Sequence, residues 1–229
     1  MIDWHSHILP RMDDGSRDAA ESISLIKMQA SQGVDTVIAT PHFYANDETV
    51  DSFLLRRKNA LELLKAQSPE LTVDILLGAE VKYYQGISRM PDLKALSIEG
   101  GELLLLEMPM STWTEYMVRE LVELSGRNGI RIVLAHIERY LDLQNRSVRR
   151  RIFESGILMQ SNANFFISLA TRRKALSLLK KGKVRFIGSD CHNVKLRPPQ
   201  IGKAFEIIQK KFGEDYIRQM NEYGRSFLA

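Results

Sequence analysis

The sequence predicts an α/β protein in which helices cover a parallel sheet. Its 229 residues contain about seven short apolar segments, typical of buried strands, which alternate with segments of helical periodicity. A closed or distorted barrel and an open, doubly wound sheet both fit this alternation. The barrel is favoured because all five histidines lie at or just after predicted strand ends. In an α/β barrel those ends meet on one face.

The predicted elements are bounded by recognisable signals. Gly33 and Gly129 are typical helix C-caps, and Pro198 with Pro199 is typical of a helix start. The predicted strands span 1–4, 34–40, 71–79, 102–106, 130–135, 157–161 and 183–188. The predicted helices span 18–32, 47–64, 111–128 or 114–128 (either Ser111 or Thr114 can cap this helix), 147–154, 165–181, 198–212 and 214–223. Residues 82–99 are expected to form a loop with one short helix. No linker rich in Gly, Ser or Pro divides the chain, so residues 1–229 are expected to form a single domain.

Composition narrows the class of protein. The chain is 44% hydrophobic and 26% charged, which is typical of a globular protein with a sizeable core. No apolar run approaches the roughly 20 residues that span a bilayer, no signal-peptide pattern opens the sequence, and a single cysteine allows no internal disulfide framework. These features predict a cytoplasmic protein. The net charge of +4 favours acidic partners such as phosphorylated groups, nucleic acid or a membrane surface, without choosing among them.

Imidazole and carboxylate side chains share one topological position. His5 and His7 are two residues apart in an extended segment, so they point the same way, and Asp190 and His192 repeat that spacing. A single histidine after a strand is more often a loop residue or a hydrogen-bonded core group. A convergent set instead indicates a multinuclear metal site, and nitrogen and oxygen ligands suit Mn, Fe or Zn. The candidate ligands are His5, His7, His42, Glu80, Glu107, His136, Asp190 and His192, with Asp13 and Asp14 at the same rim.

These motifs resemble the PHP (polymerase and histidinol phosphatase) superfamily. The closer resemblance is to its bacterial tyrosine-protein phosphatases, which are encoded with capsule and exopolysaccharide genes. The matching pieces are MIDWHSHILP at 1–10, MDDGS at 12–16, ATPH at 39–42, GAE at 78–80, LE at 106–107, AHIER at 135–139, GSDCHN at 188–193 and RPP at 197–199. They follow the family's order over nearly the whole chain, and the full set is specific although any one piece is not.

The resemblance implies a distorted, seven-stranded, TIM-like (β/α) barrel with three metal ions, commonly Mn²⁺. It assigns His5, His7, Glu80 and Asp190 to one metal. Glu80 would bridge to a second metal completed by Glu107 and His136. The third metal would be held by Asp14, His42 and His192, with Asp14 preferred to Asp13 because it directly precedes the glycine.

Two arginines fit the role of a phosphate clamp. Arg139 lies three residues after a candidate ligand, whereas Arg197 depends more on the resemblance, since Leu196 precedes it where the family often has glycine. A guanidinium presents a planar fork that matches phosphate oxygens. Metal-bound water has a lowered pKa, so attack on phosphorus by a metal-bound hydroxide is expected, with Arg139 and Arg197 neutralising the phosphoryl oxygens. Cys191 is expected to be packed in the wall and not to act as a nucleophile.

The predicted activity is hydrolysis of phosphotyrosine, and the resemblance implies a bacterial tyrosine kinase as the substrate. Tyr83, Tyr84, Phe43 and Phe166 can flank a phenyl ring or belong to the core, and the core is favoured for Phe166. The nearest alternative is a phosphatase acting on histidinol phosphate or another small phosphate.

Two further alternatives come from other classes of function. Basic clusters at 149–151, 172–174 and 180–181 leave a nuclease as an alternative function. No aromatic stacking pattern accompanies these clusters, and no nucleic-acid partner is expected. A non-catalytic metal-binding module is the other, and the intact ligand set argues against it. No membrane insertion is expected, and the sequence assigns no oligomeric state.

Overall fold

Short parallel strands form the scaffold of the computed structural model, which describes residues 1–228. Every pairing between these strands is parallel. The predicted α/β class with a parallel sheet is therefore confirmed. The strands are β1 (Ile2–Ser6), β2 (Thr36–Ala39), β3 (His42–Phe43), β4 (Asp74–Leu77), β5 (Glu80–Lys82), β6 (Leu103–Glu107), β7 (Arg131–Leu134), β8 (Leu158–Asn162) and β9 (Phe186–Gly188).

The strands divide into two sheets that continue into each other. One sheet has the order β1-β2-β4 and the other has the order β3-β5-β6-β7-β8-β9. Only two residues separate β2 from β3, and only two separate β4 from β5. The N–H of Gly78 donates to the Ala39 carbonyl (2.8 Å) and that of Glu80 donates to the Pro41 carbonyl (2.9 Å) across these interruptions. The predicted count of seven strands is not confirmed. The predicted strands 34–40 and 71–79 contain β2 and β4, and β3 and β5 are two additional short strands just beyond those predicted bounds.

β1 bonds to the residues that follow β9, so the sheet is curled. The Asp190 N–H donates to the His5 carbonyl (2.7 Å), and the His7 N–H donates to the Cys191 carbonyl (2.9 Å). Ser6 and Cys191 form a parallel bridge between these segments. We call this contact between β1 and the residues after β9 the seam.

Helices connect the strands and cover the sheet. The side chains of Asp18, Thr49, Thr114 and Asn145 accept N–H groups at four helix starts, which fits their short polar side chains. The helices are α1 (Ala19–Ser31), α2 (Val50–Gln67), α3 (Glu115–Ser125), α4 (Arg146–Glu154), α5 (Ala163–Ile167), α6 (Arg172–Lys180), α7 (Ile201–Phe212) and α8 (Glu214–Arg225). No helix in residues 1–228 is long and apolar enough to cross a membrane.

Two segments differ from the sequence prediction. The helix expected over 165–181 is split into α5 and α6. The Thr171 hydroxyl donates to the Phe165 carbonyl (2.8 Å) and the Arg172 guanidinium donates to the Phe166 carbonyl (3.0 Å), so side chains take the place of the helix hydrogen bonds. In the predicted loop at 82–99, two 3₁₀ helices form at 87–89 and 91–96 instead of one short helix.

The main core lies between the sheet and the helices, and a second, smaller core lies apart from it. Trp4 packs on Phe186 with ring centroids 4.4 Å apart, and Tyr223 and Phe227 pack against the same phenyl ring. The C-terminal end of α8 thus packs against residues of the first and last strands.

Candidate metal centre

A β-bulge in β1 places the first two candidate ligands. Asp3 pairs with Val37 and Ser6 pairs with Ala39, so β1 holds one residue more than β2 over this stretch. Asp3 points outward, where its carboxylate accepts an N–H of Gln29 on α1 (2.6 Å). Both Trp4 and the following His5 then reach the side lined by β9. Bulges commonly redirect a side chain beside a functional site.

His5, His7, Glu80 and Asp190 converge on one point. The Nε2 atoms of the two histidines are 3.1 Å apart. Glu80 Oε2 is 3.1 Å from the first and 3.3 Å from the second, and Asp190 Oδ1 is 3.7 Å and 3.5 Å away. All four side chains are buried. These four donor atoms enclose a position that suits one cation.

Glu80 also joins a second group through its other oxygen. Its Oε1 is 2.8 Å from His136 Nε2, which is 3.8 Å from Glu107 Oε1. The second oxygen of Glu107 accepts from Lys82 Nζ (2.8 Å). The Tyr140 hydroxyl oxygen is 3.0 Å from His136 Nδ1 and fixes the imidazole from behind. Glu80 therefore contributes one carboxylate oxygen to each of two donor groups.

The third group lies at the outer rim. His192 Nε2 and His42 Nε2 are 3.4 Å and 3.6 Å from Asp14 Oδ1. Donor atoms of His7, Asp14, His42 and His192 all lie within 4.8 Å of one another. Asp14 is 67% exposed in its side chain. Asp13 instead turns inward, with Oδ2 2.7 Å from His7 Nδ1 and accepting the His42 N–H (2.8 Å).

The structure thus brings together all nine side chains predicted to bind metal. His42 and Glu80 lie just past the ends of β2 and β4, as predicted, and each also begins a further short strand, β3 or β5, after a gap of two residues. The kinks before them at Thr40 to Pro41 and Gly78 to Ala79 still direct both side chains into the cluster.

Two buried donors support a metal at this position. His42 Nδ1 and His192 Nε2 are shielded from solvent. Within residues 1–228 they lie 3.1 Å from Glu80 Oε2 and 3.4 Å from Asp14 Oδ1, but neither contact has the geometry of a hydrogen bond. Unpaired buried nitrogen is costly unless another group, such as a cation, satisfies it. Imidazole and carboxylate donors without thiolate fit Mn, Fe or Zn. The residues present therefore fit a polynuclear metal site.

The pKa of His5 and that of His7 are raised, whereas the pKa values of His42 and His192 are lowered. Burial lowers the pKa of His42, and burial together with the charges of His7 and Arg197 lowers that of His192 to about 4. Burial also opposes protonation of His7, but Asp13 and Glu80 outweigh it and raise its pKa to about 10. His42 and His192 thus offer free lone pairs near neutral pH, whereas a cation must displace a proton from His7.

Gln160 is a functional residue that the sequence reading missed. It is fully buried in β8. Its Oε1 accepts the His136 N–H (2.6 Å) and is 3.3 Å from His5 Nδ1. An amide oxygen only accepts, so Nδ1 of His5 carries a proton and Nε2 is the nitrogen directed at the cluster. A lone glutamine within a strand carries no spacing signal that would have revealed this role.

Two glycines permit the close approach of backbone to ligands. A Cβ on Gly15 would lie 2.4 Å from the His7 carbonyl oxygen, and one on Gly188 would lie 2.5 Å from His5 Cβ. Both distances are too short for any real side chain. The glycines that follow Asp14 and precede Ser189 are therefore required by the packing of the histidines.

Two ligand residues have strained backbones. His136 has φ of 30° and Asp190 has φ of 53°, both in the left-handed region that residues with a Cβ seldom adopt. Each conformation costs of the order of 1 kcal/mol and persists only where surrounding contacts impose it. Here the seam imposes it on Asp190, and the Gln160 amide holds His136.

Both predicted arginines lie at this cluster. Arg139 and Arg197 approach Asp190 from two sides: Arg139 Nη2 binds Oδ2, and Arg197 Nη2 is 2.9 Å from Oδ1. Asn162 donates a further hydrogen bond to Oδ2 (2.8 Å). Both guanidinium groups remain partly exposed. Leu196 does not prevent this reach, because it points outward and is 88% exposed.

The aromatic residues singled out in the sequence lie mostly elsewhere. Phe43 and Phe166 are fully buried, so the core interpretation is correct for both. The Tyr83 hydroxyl donates to Glu120 (2.6 Å), which fixes it on α3. Tyr84 is partly buried and lines a surface depression of about 420 Å³ beside Tyr116.

Several members of the basic clusters are paired in the structure. They lie mainly on α4 and α6. Arg151 pairs with Glu115 and Lys174 pairs with Asp142. Arg150 approaches Glu154, one turn further along α4.

Cys191 is fully buried. Burial and the neighbouring Asp3 carboxylate raise the pKa of the thiol well above its usual value, so the thiolate is disfavoured. The thiol is unsuited to nucleophilic attack.

Together, the curled parallel sheet and the ligand cluster define an α/β protein with a candidate polynuclear metal centre. A family model described as capsular polysaccharide synthesis, CpsB/CapC, matches residues 1–224. The chain belongs to this CpsB/CapC family.

Individual relatives agree with this assignment. Tyrosine-protein phosphatase CpsB of Streptococcus pneumoniae is 30% identical over 236 residues, which cover 96% of this chain and 94% of the relative. A structure from work on YwqE of Bacillus subtilis and CpsB of Streptococcus pneumoniae, described as metal-dependent tyrosine phosphatases, matches with a TM-score of 0.82 at 27% identity, covering 100% of this chain and 94% of that one. Histidinol phosphate phosphatase of Lactococcus lactis (TM-score 0.58, 14% identity, 92% and 93% covered) shares the fold alone.

Proposed function

We propose that this chain is a metal-dependent protein-tyrosine phosphatase that hydrolyses phosphotyrosine. The observation that carries the proposal is the convergence of two guanidinium groups, those of Arg139 and Arg197, on Asp190 at the edge of a nine-ligand cluster. A polynuclear cation site flanked by two arginines suits a phosphate monoester, whose dianion needs charge neutralisation above all. The phosphatase names of the relatives in the same family support this choice.

The three ligand groups would hold the metal ions. His5, His7, Glu80 and Asp190 would bind one, with Glu80 bridging to a second ion at Glu107 and His136. Asp14, His42 and His192 would bind a third. Such ions, which we infer to be Mn²⁺, would supply Lewis-acid polarisation of the phosphoryl group and would lower the pKa of water, so that hydroxide is available near neutral pH.

The protein's own groups orient and hold the substrate. Arg139 and Arg197 bind the phosphoryl oxygens and balance the charge that develops on them. Asn162 keeps Asp190 in place through its amide while the guanidinium groups turn to the phosphate. Asp13 and Gln160 hold the protons on Nδ1 of His7 and His5, which fixes the tautomers. The phenol of tyrosine has a pKa of about 10, so the phenolate leaves phosphorus readily and no strong general acid is required.

We also infer the strand count of the barrel, the domain organisation and the physiological substrate. We infer that the interrupted pairs β2–β3 and β4–β5 each count as one strand of a distorted seven-stranded barrel closed at the seam. Ligands drawn from residues 5 to 192 support treating residues 1–229 as a single domain. The physiological substrate is then a bacterial tyrosine kinase of capsule or exopolysaccharide synthesis, in the cytoplasm.

The test is phosphate release from a phosphotyrosine peptide and from histidinol phosphate, side by side. Metal-stripped protein is assayed with and without added Mn²⁺. We expect Mn²⁺-dependent turnover that strongly favours the phosphotyrosine peptide. Preference for histidinol phosphate would move the function to small-molecule metabolism, and no release from either would contradict a phosphatase.

Variants separate the metal mechanism from cysteine chemistry. Arg139→Gln and Arg197→Gln should each lower kcat/KM by about 100-fold, since a charge-assisted hydrogen bond to the developing charge contributes about 2.7 kcal/mol or more. Cys191→Ala should retain turnover because its thiol takes no part. Loss of activity in Cys191→Ala at full metal content would rule the mechanism out.

A further inference from the structure

An exposed aromatic ring lies beside the metal-ligand cluster. Tyr44 follows β3, and because side chains alternate along a strand it shares a face with His42, while Phe43 points the other way into the core. The ring centroids of Tyr44 and His42 are 5.4 Å apart. Tyr44 is 39% exposed. The ring therefore touches a candidate ligand and still faces solvent.

The position of Tyr44 is fixed by its backbone. Its carbonyl accepts the N–H groups of Asp47 (3.0 Å) and Glu48 (3.3 Å), in the turn that leads to α2. Burial and the negative charges of the cluster carboxylates, Glu107 foremost, raise the pKa of the phenol to about 12. The phenol is neutral at physiological pH and lies within electrostatic range of the metal ligands.

We propose that Tyr44 is a specificity-determining residue whose ring packs against the phenyl ring of a bound aryl phosphate. The proposal rests on the proposed function and names its substrate preference. In phosphotyrosine one ester oxygen joins the phenyl ring to phosphorus. A phosphoryl group at the cluster therefore places that ring at the outer rim, where Tyr44 lies beside His42. Aromatic pairs gain stability at centroid separations of 4.5–7 Å, and an alkyl phosphate offers no ring for this contact.

The other aromatic side chains near the strand ends do not take this place. Phe43 and Phe166 are fully buried, and Tyr83 is held by Glu120. Within residues 1–228, two tyrosine rings contact a histidine of the cluster: Tyr44 contacts His42, and Tyr140 contacts His136. The ring of Tyr140 is buried behind His136. Tyr44 alone of these two has an open face toward solvent.

The experiment measures binding of phenylphosphonate and methylphosphonate to metal-loaded protein by calorimetry. Neither ligand is hydrolysed, so binding is read apart from turnover. We expect wild-type protein to prefer phenylphosphonate, and Tyr44→Leu to lose about 3- to 10-fold of that preference with its affinity for methylphosphonate unchanged. Tyr44→Phe should retain the preference, because the ring and not the hydroxyl makes the contact.

The matched control is Tyr116→Leu, which removes a tyrosine of similar exposure (37%) on α3 and should leave the preference intact. The metal content of each variant is measured in parallel. The proposal is overturned if the ratio of the two affinities is unchanged in Tyr44→Leu, or if the affinities for both ligands fall equally. If both affinities fall equally and the metal content is also reduced, the ring instead shields His42. A wild-type protein without aryl preference also overturns it.

The two proposals fail separately. Aryl preference that depends on Tyr44 in a protein without phosphotyrosine turnover would contradict the proposed function alone. Turnover of phosphotyrosine with a ratio unaffected in Tyr44→Leu would contradict only the role of Tyr44.

Discussion

Gln160 connects two ligands that lie far apart in the sequence. Its amide oxygen accepts the backbone N–H of His136 and faces the Nδ1 atom of His5, while its amide nitrogen donates to Asn162 (2.9 Å). Asn162 in turn holds Asp190. One buried side chain therefore fixes the tautomer of one ligand and the strained backbone of another. The cost of removing it should appear in metal affinity.

Gln160→Leu should lower metal affinity by about 10- to 100-fold, the usual effect of losing a group that orients a metal ligand. It also leaves the buried N–H of His136 unpaired. Affinity is measured by competition with a chromophoric chelator. The neighbouring Ser161→Ala is the matched control, because the Ser161 hydroxyl is buried and has no hydrogen-bond partner within residues 1–228. Equal affinities in the Gln160→Leu and wild-type proteins would refute this role.

At the scale of elements, the turn after β9 sets the reach of Arg197. The Asn193 side-chain oxygen accepts the N–H groups of Lys195 (3.2 Å), Leu196 (2.6 Å) and Arg197 (3.2 Å). The Arg197 carbonyl accepts the His192 N–H (3.0 Å). This turn closes without a glycine, because a single side chain satisfies three backbone donors.

Asn193→Ala should lower kcat/KM on a phosphotyrosine peptide by about 10-fold, since losing these hydrogen bonds costs about 1–2 kcal/mol of loop order. Asn193→Asp retains the acceptor oxygen and should keep most of the activity. Metal content, read by elemental analysis, should stay unchanged in both, which separates the turn from its neighbour His192. Full activity in Asn193→Ala would show that Arg197 is positioned by other contacts.

The elements also show which features the sequence could reveal. The ligand positions were predictable because each lies where an apolar run ends, and such ends meet in a parallel α/β fold. The bulge in β1 was not, since it exists only relative to the pairing of Asp3 with Val37. The position of Tyr44 beside His42 was not predictable either, because residues 41–46 lie outside every predicted strand and helix and the short strand β3 gives no pattern of its own.

For the whole molecule, metal binding should be coupled to stability. The candidate ligands come from β1, β3, β5 and β6 and from the segments that follow β1, β7 and β9, so the unfolded chain offers no comparable site. A ligand that binds only the native state at 100 times its Kd adds about 2.7 kcal/mol. For a chain of this size, each kcal/mol corresponds to a Tm change of about 2–4 °C.

Removal of metal by a chelator should therefore lower Tm by about 5–10 °C, and adding back excess Mn²⁺ should restore it. Differential scanning calorimetry on stripped and loaded protein gives the shift. His192→Ala should show a smaller shift because one ligand of the outer group is missing. A Tm that is the same with and without metal would contradict this coupling.

The seam has a consequence for biosynthesis. β1, with His5, and the following His7 leave the ribosome long before Asp190 and Cys191, whose backbone groups bond to this segment. Until then one edge of β1 has no partner, and an open strand edge invites pairing with other chains. Interrupted nascent chains should thus depend on chaperones. The group of His5, His7, Glu80 and Asp190 is incomplete until Asp190 has left the ribosome.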